Sequence, residues 1–161
     1  MKLARTHREE NTMNLIIRPY RPDDFAPIND LWRRARVAAF PDFHARKGHT
    51  AEEDRAYFRT VILIKNTVFV AEADGRVVGF IAIAGDFIDQ LYVDPDSKRQ
   101  SVGASLISAA KALSPSGLHL FTFETNASGR AFYEQHGFKA TGFGISPPPE
   151  SEPHVEYRWT P

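Results

Sequence analysis

Two short stretches carry residue types at spacings that can do chemistry. The first is Leu91-Tyr92-Val93-Asp94-Pro95 followed by Lys98-Arg99-Gln100-Ser101-Val102-Gly103-Ala104. An apolar run there ends in a turn, and the turn opens a helix. The free backbone N–H groups and the dipole of such a helix start make a seat for a pyrophosphate. Gly103 lets backbone approach a ligand closely, and Lys98 and Arg99 add positive charge at the mouth. Read alone, the same residues also describe an ordinary helix start with solvated bases. The second stretch is Asn126 to Phe138. Asn126 sits where a strand hands over to a helix, a capping position. Tyr133 follows about two helical turns later, where a tyrosine commonly serves as a core aromatic with a wet hydroxyl.

The elements that must position these residues follow from periodicity. Leu15-Ile16-Ile17 reads as a first strand, and Pro22-Asp23-Asp24 starts a helix with Phe25, Ile28, Leu31, Trp32 and Ala35 at helical spacing. Ala38 to Gly48 reads as a loop. Thr50 and Glu53 have capping-box spacing for a second helix reaching about Leu63. Thr67–Ala73 and Arg76–Ala84 form a hairpin about Asp74-Gly75, and Phe87–Val93 is the next strand. A helix over Val102–Leu113 should bury Val102, Leu106, Ala109, Ala110 and Leu113. Then come a strand at Leu118–Thr125, a helix at Ala127–His136 capped by Gly137, and a strand at Phe138–Phe143. The proline-rich stretch from Ser146 to Pro153 precedes a last strand with Val155, Tyr157 and Trp159 on one face. Hairpins first and helix crossovers later predict a mixed α/β, or α+β, sheet with room for a parallel pair.

Composition limits the functions available. The chain has 161 residues, enough for one domain with a real core. Lys plus Arg and Asp plus Glu are 20 each, so bulk charge makes no case for nucleic acid or an anionic membrane. There is no cysteine, which excludes disulfides, thiolate metal sites and a cysteine acyl-enzyme, and fits a cytoplasmic setting. No apolar run is long enough for a membrane helix. His44 and His49 lack a companion ligand at metal-binding spacing, so no metal is expected. Residues 1–12 are polar and read as a disordered extension ahead of a single domain over 13–161.

Together the two stretches resemble the GCN5-related N-acetyltransferase (GNAT) superfamily. Its cofactor motif, Q/R-x-x-G-x-G/A, aligns with Lys98 to Gly103, with Lys98 at the first position and Ser101 replacing the first glycine. Serine keeps a backbone N–H to offer, provided its φ/ψ matches. The family's second signature, Asn, then Tyr seven residues on, then Gly-Phe, matches Asn126, Tyr133, Gly137 and Phe138 in full. The resemblance spans about Leu15 to Trp159.

It implies a mostly antiparallel sheet of six to seven strands, with a parallel pair splayed at strands 4 and 5, and four flanking helices. It also implies acetyl-CoA as cofactor, CoA as product, and direct attack by an amine. The pantetheine arm would pair with backbone at Leu91, Tyr92 and Val93, and Asn126 would bond its amides. N–H groups near Leu91 would polarise the thioester. The phosphates would sit on Lys98, Arg99, Gln100, Ser101, Val102, Gly103 and Ala104. Tyr133 is then the general acid, its ordinary pKa of about 10 keeping it protonated. Asp89 is the first candidate base, expected on the same side as Leu91 and Val93, with Glu124 and then His44 and His49 behind it. The acceptor pocket falls to Trp32, Phe43, His44 and His49, with Phe40, Tyr57 and Phe58 nearby and Pro147-Pro148-Pro149 as a stiff extended rim. The acceptor is a small-molecule or peptide amine, and relatives make a homodimer an expectation. The alternatives are a non-catalytic acyl-CoA-binding or regulatory module, a phosphotransferase, which no G-x-x-x-x-G-K-[ST] supports, and a purely structural domain.

Overall fold

The computed structural model describes residues 14–98 and 101–161. The proposed extension at 1–12, together with Arg99 and Gln100, lies outside the described residues.

Seven strands form one sheet in the order β1-β2-β3-β4-β5-β7-β6. They are β1 (Leu15–Pro19), β2 (Thr67–Ala73), β3 (Arg76–Ala84), β4 (Phe87–Val93), β5 (Leu118–Phe123), β6 (Lys139–Ile145) and β7 (Pro153–Trp159). All neighbours run antiparallel except β4 and β5. Asp74 and Gly75 both take positive φ, 50° and 79°, which is the backbone a two-residue hairpin needs between β2 and β3.

The helices cover both faces. On one face lie α1 (Phe25–Ala39) and α3 (Ala51–Tyr57), the latter continuing through a π-helical turn (Phe58–Ile62) into α4 (Leu63–Lys65). Ile28, Leu31, Trp32, Phe58 and Ile62 pack there on Val70, Phe80 and Ala82. On the other face α5 (Val102–Leu113) buries Val102, Leu106, Ile107 and Ala110 against Ile81, Ile88, Leu120 and Tyr157. Its apolar stripe therefore runs through Ile107, and Leu113, expected inside, is 55% exposed. α6 (Ala127–Gln135) lies on this second face too, through Phe132 and Tyr133.

Two local expectations change. The stretch from Ala38 to Gly48 is not a loop: α1 runs to Ala39, and α2 (Pro41–Lys47) follows. Pro41 occupies the first helical turn, where its missing N–H is harmless, while Asp42 leads and Arg46 and Lys47 close the helix in line with its dipole. Phe40 and Phe43 hold α2 down on Phe123, with ring centroids 5.1 and 5.3 Å away. The Pro147-Pro148-Pro149 stretch is a closed turn rather than an extended rod. Ser146 N–H donates to Glu152 C=O (2.8 Å), and Glu152 N–H donates to Ser146 Oγ (3.0 Å). At α3 the Thr50 hydroxyl accepts from Glu53 N–H (3.2 Å), but the Glu53 carboxylate meets His49 Nδ1 (2.8 Å) and does not close the capping box.

Candidate active site

The parallel strands meet only at their beginnings. β4 and β5 pair at Phe87 and His119, with His119 N–H donating to Asp86 C=O at 2.9 Å, and beyond that point they diverge. The gap opens into a cleft of about 1290 Å³. Its walls are β4 from Phe87 to Val93, the start of α5, the β5 stretch Leu120 to Phe123, and α6.

The β4 wall presents free backbone. Asp94 N–H donates to Val78 C=O at 2.8 Å, and Gly79 faces the Tyr92 carbonyl. Backbone groups alternate along a strand, so Tyr92 bonds toward β3 while Leu91 and Val93 point their N–H and C=O groups into the gap. Their side chains turn to the α5 face and pack on the core.

The α5 wall is a helix start. Ser101 takes the left-handed conformation, φ 63° and ψ 15°, so this serine adopts the backbone for which glycine is usual. The first helical bond is Ser105 N–H to Ser101 C=O at 3.0 Å. The N–H groups of Val102, Gly103 and Ala104 therefore have no acceptor within the helix. Val102 is 1% exposed as a whole residue, its side chain packed into the core beneath the helix start. A Cβ on Gly103 would approach Phe132 to 3.1 Å, so this glycine also serves close packing of α5 on α6. Lys98 lines the cleft at the same end. The turn before it is pinned: Asp94 accepts from Asp96 N–H (2.9 Å) and takes a forked pair from Arg34 of α1 (3.0 and 2.9 Å). The Arg34 bonds hold the Asp94 carboxyl below the usual carboxylate range.

Asn126 and Tyr133 face the same cleft. Asn126 caps α6, its Oδ1 accepting from Gly129 N–H (3.2 Å) while its Nδ2 donates to Thr122 Oγ1 (2.9 Å). A Cβ on Gly129 would strike that amide at 2.1 Å, so the cap requires glycine there. The Tyr133 ring is wedged among Phe132, Phe138 and Tyr157, at 5.4, 5.7 and 6.1 Å. Its hydroxyl makes no hydrogen bond among the described residues. Burial, with the Tyr92 phenol next in effect, pushes its pKa well above the ordinary value.

Asp89 lines the cleft but points the other way from the expectation. The β3–β4 register slips between Ala82 and Ile83, where Ile83 faces Ile88 and Ala82 faces Gln90, which leaves Asp89 as the extra residue of a bulge. Ile88 stays on the α5 face, and Asp89 swings to the α3 face, where Asn66 Nδ2 donates to its Oδ2 at 2.8 Å. Strand alternation alone cannot foresee a bulge.

The other sequence candidates scatter. Glu124 is exposed outside the cleft wall, its carbonyl accepting from Arg130 (3.2 Å). Trp32 is 3% exposed in the core, with Arg36 stacked 3.8 Å from its ring. Phe58 is fully buried. His49 is tied to Glu53, and His44 sits on α2 outside the cleft wall. Phe43 borders a small side pocket with Phe40, and only Phe40 of this set also reaches the main cleft. Residues not singled out from the sequence take their place: Phe121, with His154 stacked on it at 4.8 Å, and Glu150 from the proline turn. Alternation along β5 puts His119, Phe121 and Phe123 on one face, the one signal that could have found this wall.

A sheet split at a parallel pair, a helix start with unpaired N–H groups at the split and a tyrosine on its far wall fit the N-acetyltransferase resemblance read from the sequence. Residues 65–140 match the family model "Acetyltransferase (GNAT) domain". The chain is 32% identical to the peptidyl-lysine N-acetyltransferase YjaB of Salmonella typhimurium over 131 residues, 81% of this chain and 87% of that protein. The solution structure of apo YjaB from Escherichia coli superposes with a TM-score of 0.75 at 26% identity, covering 90% of this chain and 97% of that one. The PaiA N-acetyltransferase of Thermoplasma acidophilum, solved with coenzyme A, shares the fold at 18% identity, with a TM-score of 0.69 over 92% of this chain and 100% of that one. The chain belongs to the GNAT superfamily and is an N-acetyltransferase. Among the described residues no helix is long and apolar enough to cross a membrane, and no cluster of metal-binding side chains occurs.

Proposed function

We propose that the protein acetylates a primary amine from acetyl-CoA by direct attack, and that the acceptor is a lysine side chain. The observation that carries the reading is that Leu91 and Val93, whose backbone β5 leaves unpaired, line one cleft with Tyr133. Acetyl-CoA supplies the activated acetyl group as a thioester. The backbone of Leu91 and Val93 bonds the pantetheine arm as a further strand would. The N–H groups of Val102, Gly103 and Ala104, with Lys98, hold the pyrophosphate. The amine lone pair attacks the thioester carbonyl, and the C–S bond breaks. The departing sulfur takes the Tyr133 proton. Asp89 accepts the proton that the ammonium must lose before attack, and the second N–H proton, released as the amide forms, restores the Tyr133 hydroxyl. Support for a lysine acceptor comes from the YjaB relative, whose name specifies peptidyl-lysine.

The test is a melting series with acetyl-CoA, CoA and ATP, followed by acetyl transfer to a lysine peptide. A ligand at about a hundred times its Kd adds about 2.7 kcal/mol of stability. Stabilisation by both CoA species and not by ATP, with turnover, supports the reading. No CoA-dependent shift at millimolar ligand sinks it.

A further inference from the structure

The acceptor end of the cleft holds carboxylates that make no ion pair among the described residues. Two carboxylates line it, Asp89 from the β4 bulge and Glu150 from the proline turn. Asp89 is bonded only by the neutral Asn66 amide, and the Glu150 carboxylate has no partner among the described residues. Among the described residues, the nearby cations pair with other carboxylates. Arg46 and Lys47 both pair with Glu152, at 3.8 and 3.4 Å, and Lys47 also holds the Glu150 carbonyl oxygen. Arg36 pairs with Asp54 at 2.6 Å. Phe40 and Phe121 add apolar surface to the same cleft.

The two carboxylates stand differently. Asp89 is half-buried inside, whereas Glu150 is exposed at the mouth on a turn that Lys47 and the Ser146–Glu152 bonds hold closed. An inserted lysine would run its methylenes along Phe40 and Phe121 with its nitrogen beyond them. Its sequence neighbours would then lie at the mouth, beside Glu150.

Building on the lysine-acceptor reading, we infer that Glu150 is a specificity residue that selects lysines with a basic neighbour in the polypeptide. The charge is on the rim, so it acts through encounter and weak pairing, and salt screens it.

The experiment uses the full chain, acetyl-CoA, and three nonapeptides with one lysine flanked by arginine, alanine or glutamate. Wild type should rank them basic, neutral, acidic, spanning about tenfold in kcat/KM, mostly through KM, with the span shrinking in high salt. Glu150→Gln should flatten the ranking, and Glu150→Lys should invert it. Melting with acetyl-CoA checks that each variant folds and binds. If wild type treats the three peptides alike to within about twofold, or Glu150→Lys keeps the wild-type order, the inference is overturned. Acetylation of any of them still supports the lysine-acceptor reading. If a free amine is acetylated and no peptide is, both the inference and the lysine acceptor fall. If acetyl-CoA gives no melting shift and nothing is acetylated, the transferase reading falls with them.

Discussion

Ser101 carries a conformational load that a single substitution can measure. Its φ of 63° lies in the left-handed region, where a residue with a Cβ pays about 1–2 kcal/mol. Ser101→Gly removes that load but loosens the unfolded chain, at a cost of about 0.5–1 kcal/mol. The side chain brings little to offset this: it is exposed and provides no cap to the helix, and the bonds at this position run to the Ser101 carbonyl, from Ser105 N–H (3.0 Å) and Ser105 Oγ (2.9 Å). Those bonds survive in the glycine variant. The net expectation is a gain of about 0.5–1 kcal/mol, a rise in Tm of roughly 2 °C for a domain of this size. Ser101→Val should lose stability instead, since a β-branched residue tolerates positive φ poorly. Calorimetry reads both, and titration calorimetry with CoA reads the consequence. The glycine variant should bind within about threefold of wild type, because the N–H groups of Val102, Gly103 and Ala104 keep their directions. A glycine variant that melts several degrees lower would show that Ser101 is not held left-handed and that its hydroxyl has another role.

The remaining expectations touch other walls of the cleft. Tyr133→Phe should lower kcat by about 10²–10⁴ while CoA still raises the melting temperature, as measured by steady-state rates and melting. Since burial raises the Tyr133 pKa, that hydroxyl stays protonated across the working range, and a rate that rises with pH should persist in Tyr133→Phe, reporting the amine and its base. Gly129→Ala should cost about 1–2 kcal/mol in chemical denaturation, because the new Cβ displaces the Asn126 cap. Asp24, 4% exposed and forked to Arg18 at 2.8 Å, has its pKa lowered by that pair, as Asp94 has by Arg34. Their stabilisation is complete above about pH 4, the unfolded carboxylate value, and is lost as pH falls through the lowered folded values. Melting from pH 6 to 2.5 should fall in this acid range, and fall less steeply in Asp94→Asn.

Much of the fold was legible because hairpin chemistry and periodicity are local. Asp74-Gly75, Gly137 and the alternation of Val155, Tyr157 and Trp159 each declare their element within a few residues. The cofactor wall was legible for the same reason, since a helix start needs only its own turn. The acceptor wall was not. It is assembled from the β4 bulge at Asp89, the far face of β5 at Phe121 and a turn near the C-terminus at Glu150, and no short spacing links these three. Trp32 misled because an aromatic at helical spacing reads alike whether it faces core or cleft, and here Arg36 seals it against the core. Pro41 misled because a proline that breaks a helix and one that begins it look alike in sequence.

The bulge and the splay act together. Had β4 kept its register past Ile83, Asp89 would stand on the α5 face with Leu91 and Val93, away from the mouth. The extra residue turns one carboxylate to the acceptor side while leaving Leu91 and Val93 with core side chains and free backbone. Beyond Phe87 and His119, β5 gives that backbone no partner and bonds β7 instead, from Leu118 to Phe123. The strand thus ends with its hydrogen-bonding edge facing water inside the sheet, an arrangement that costs nothing only while the gap stays wet or is filled by a chain with amides of its own. A ligand that fills it restores the missing ladder and ties the two halves of the sheet. Binding should therefore slow hydrogen exchange at the Leu91 and Val93 amides well beyond any change at Tyr92, whose N–H already serves β3. Equal protection at all three would mean that the ligand does not lie along β4.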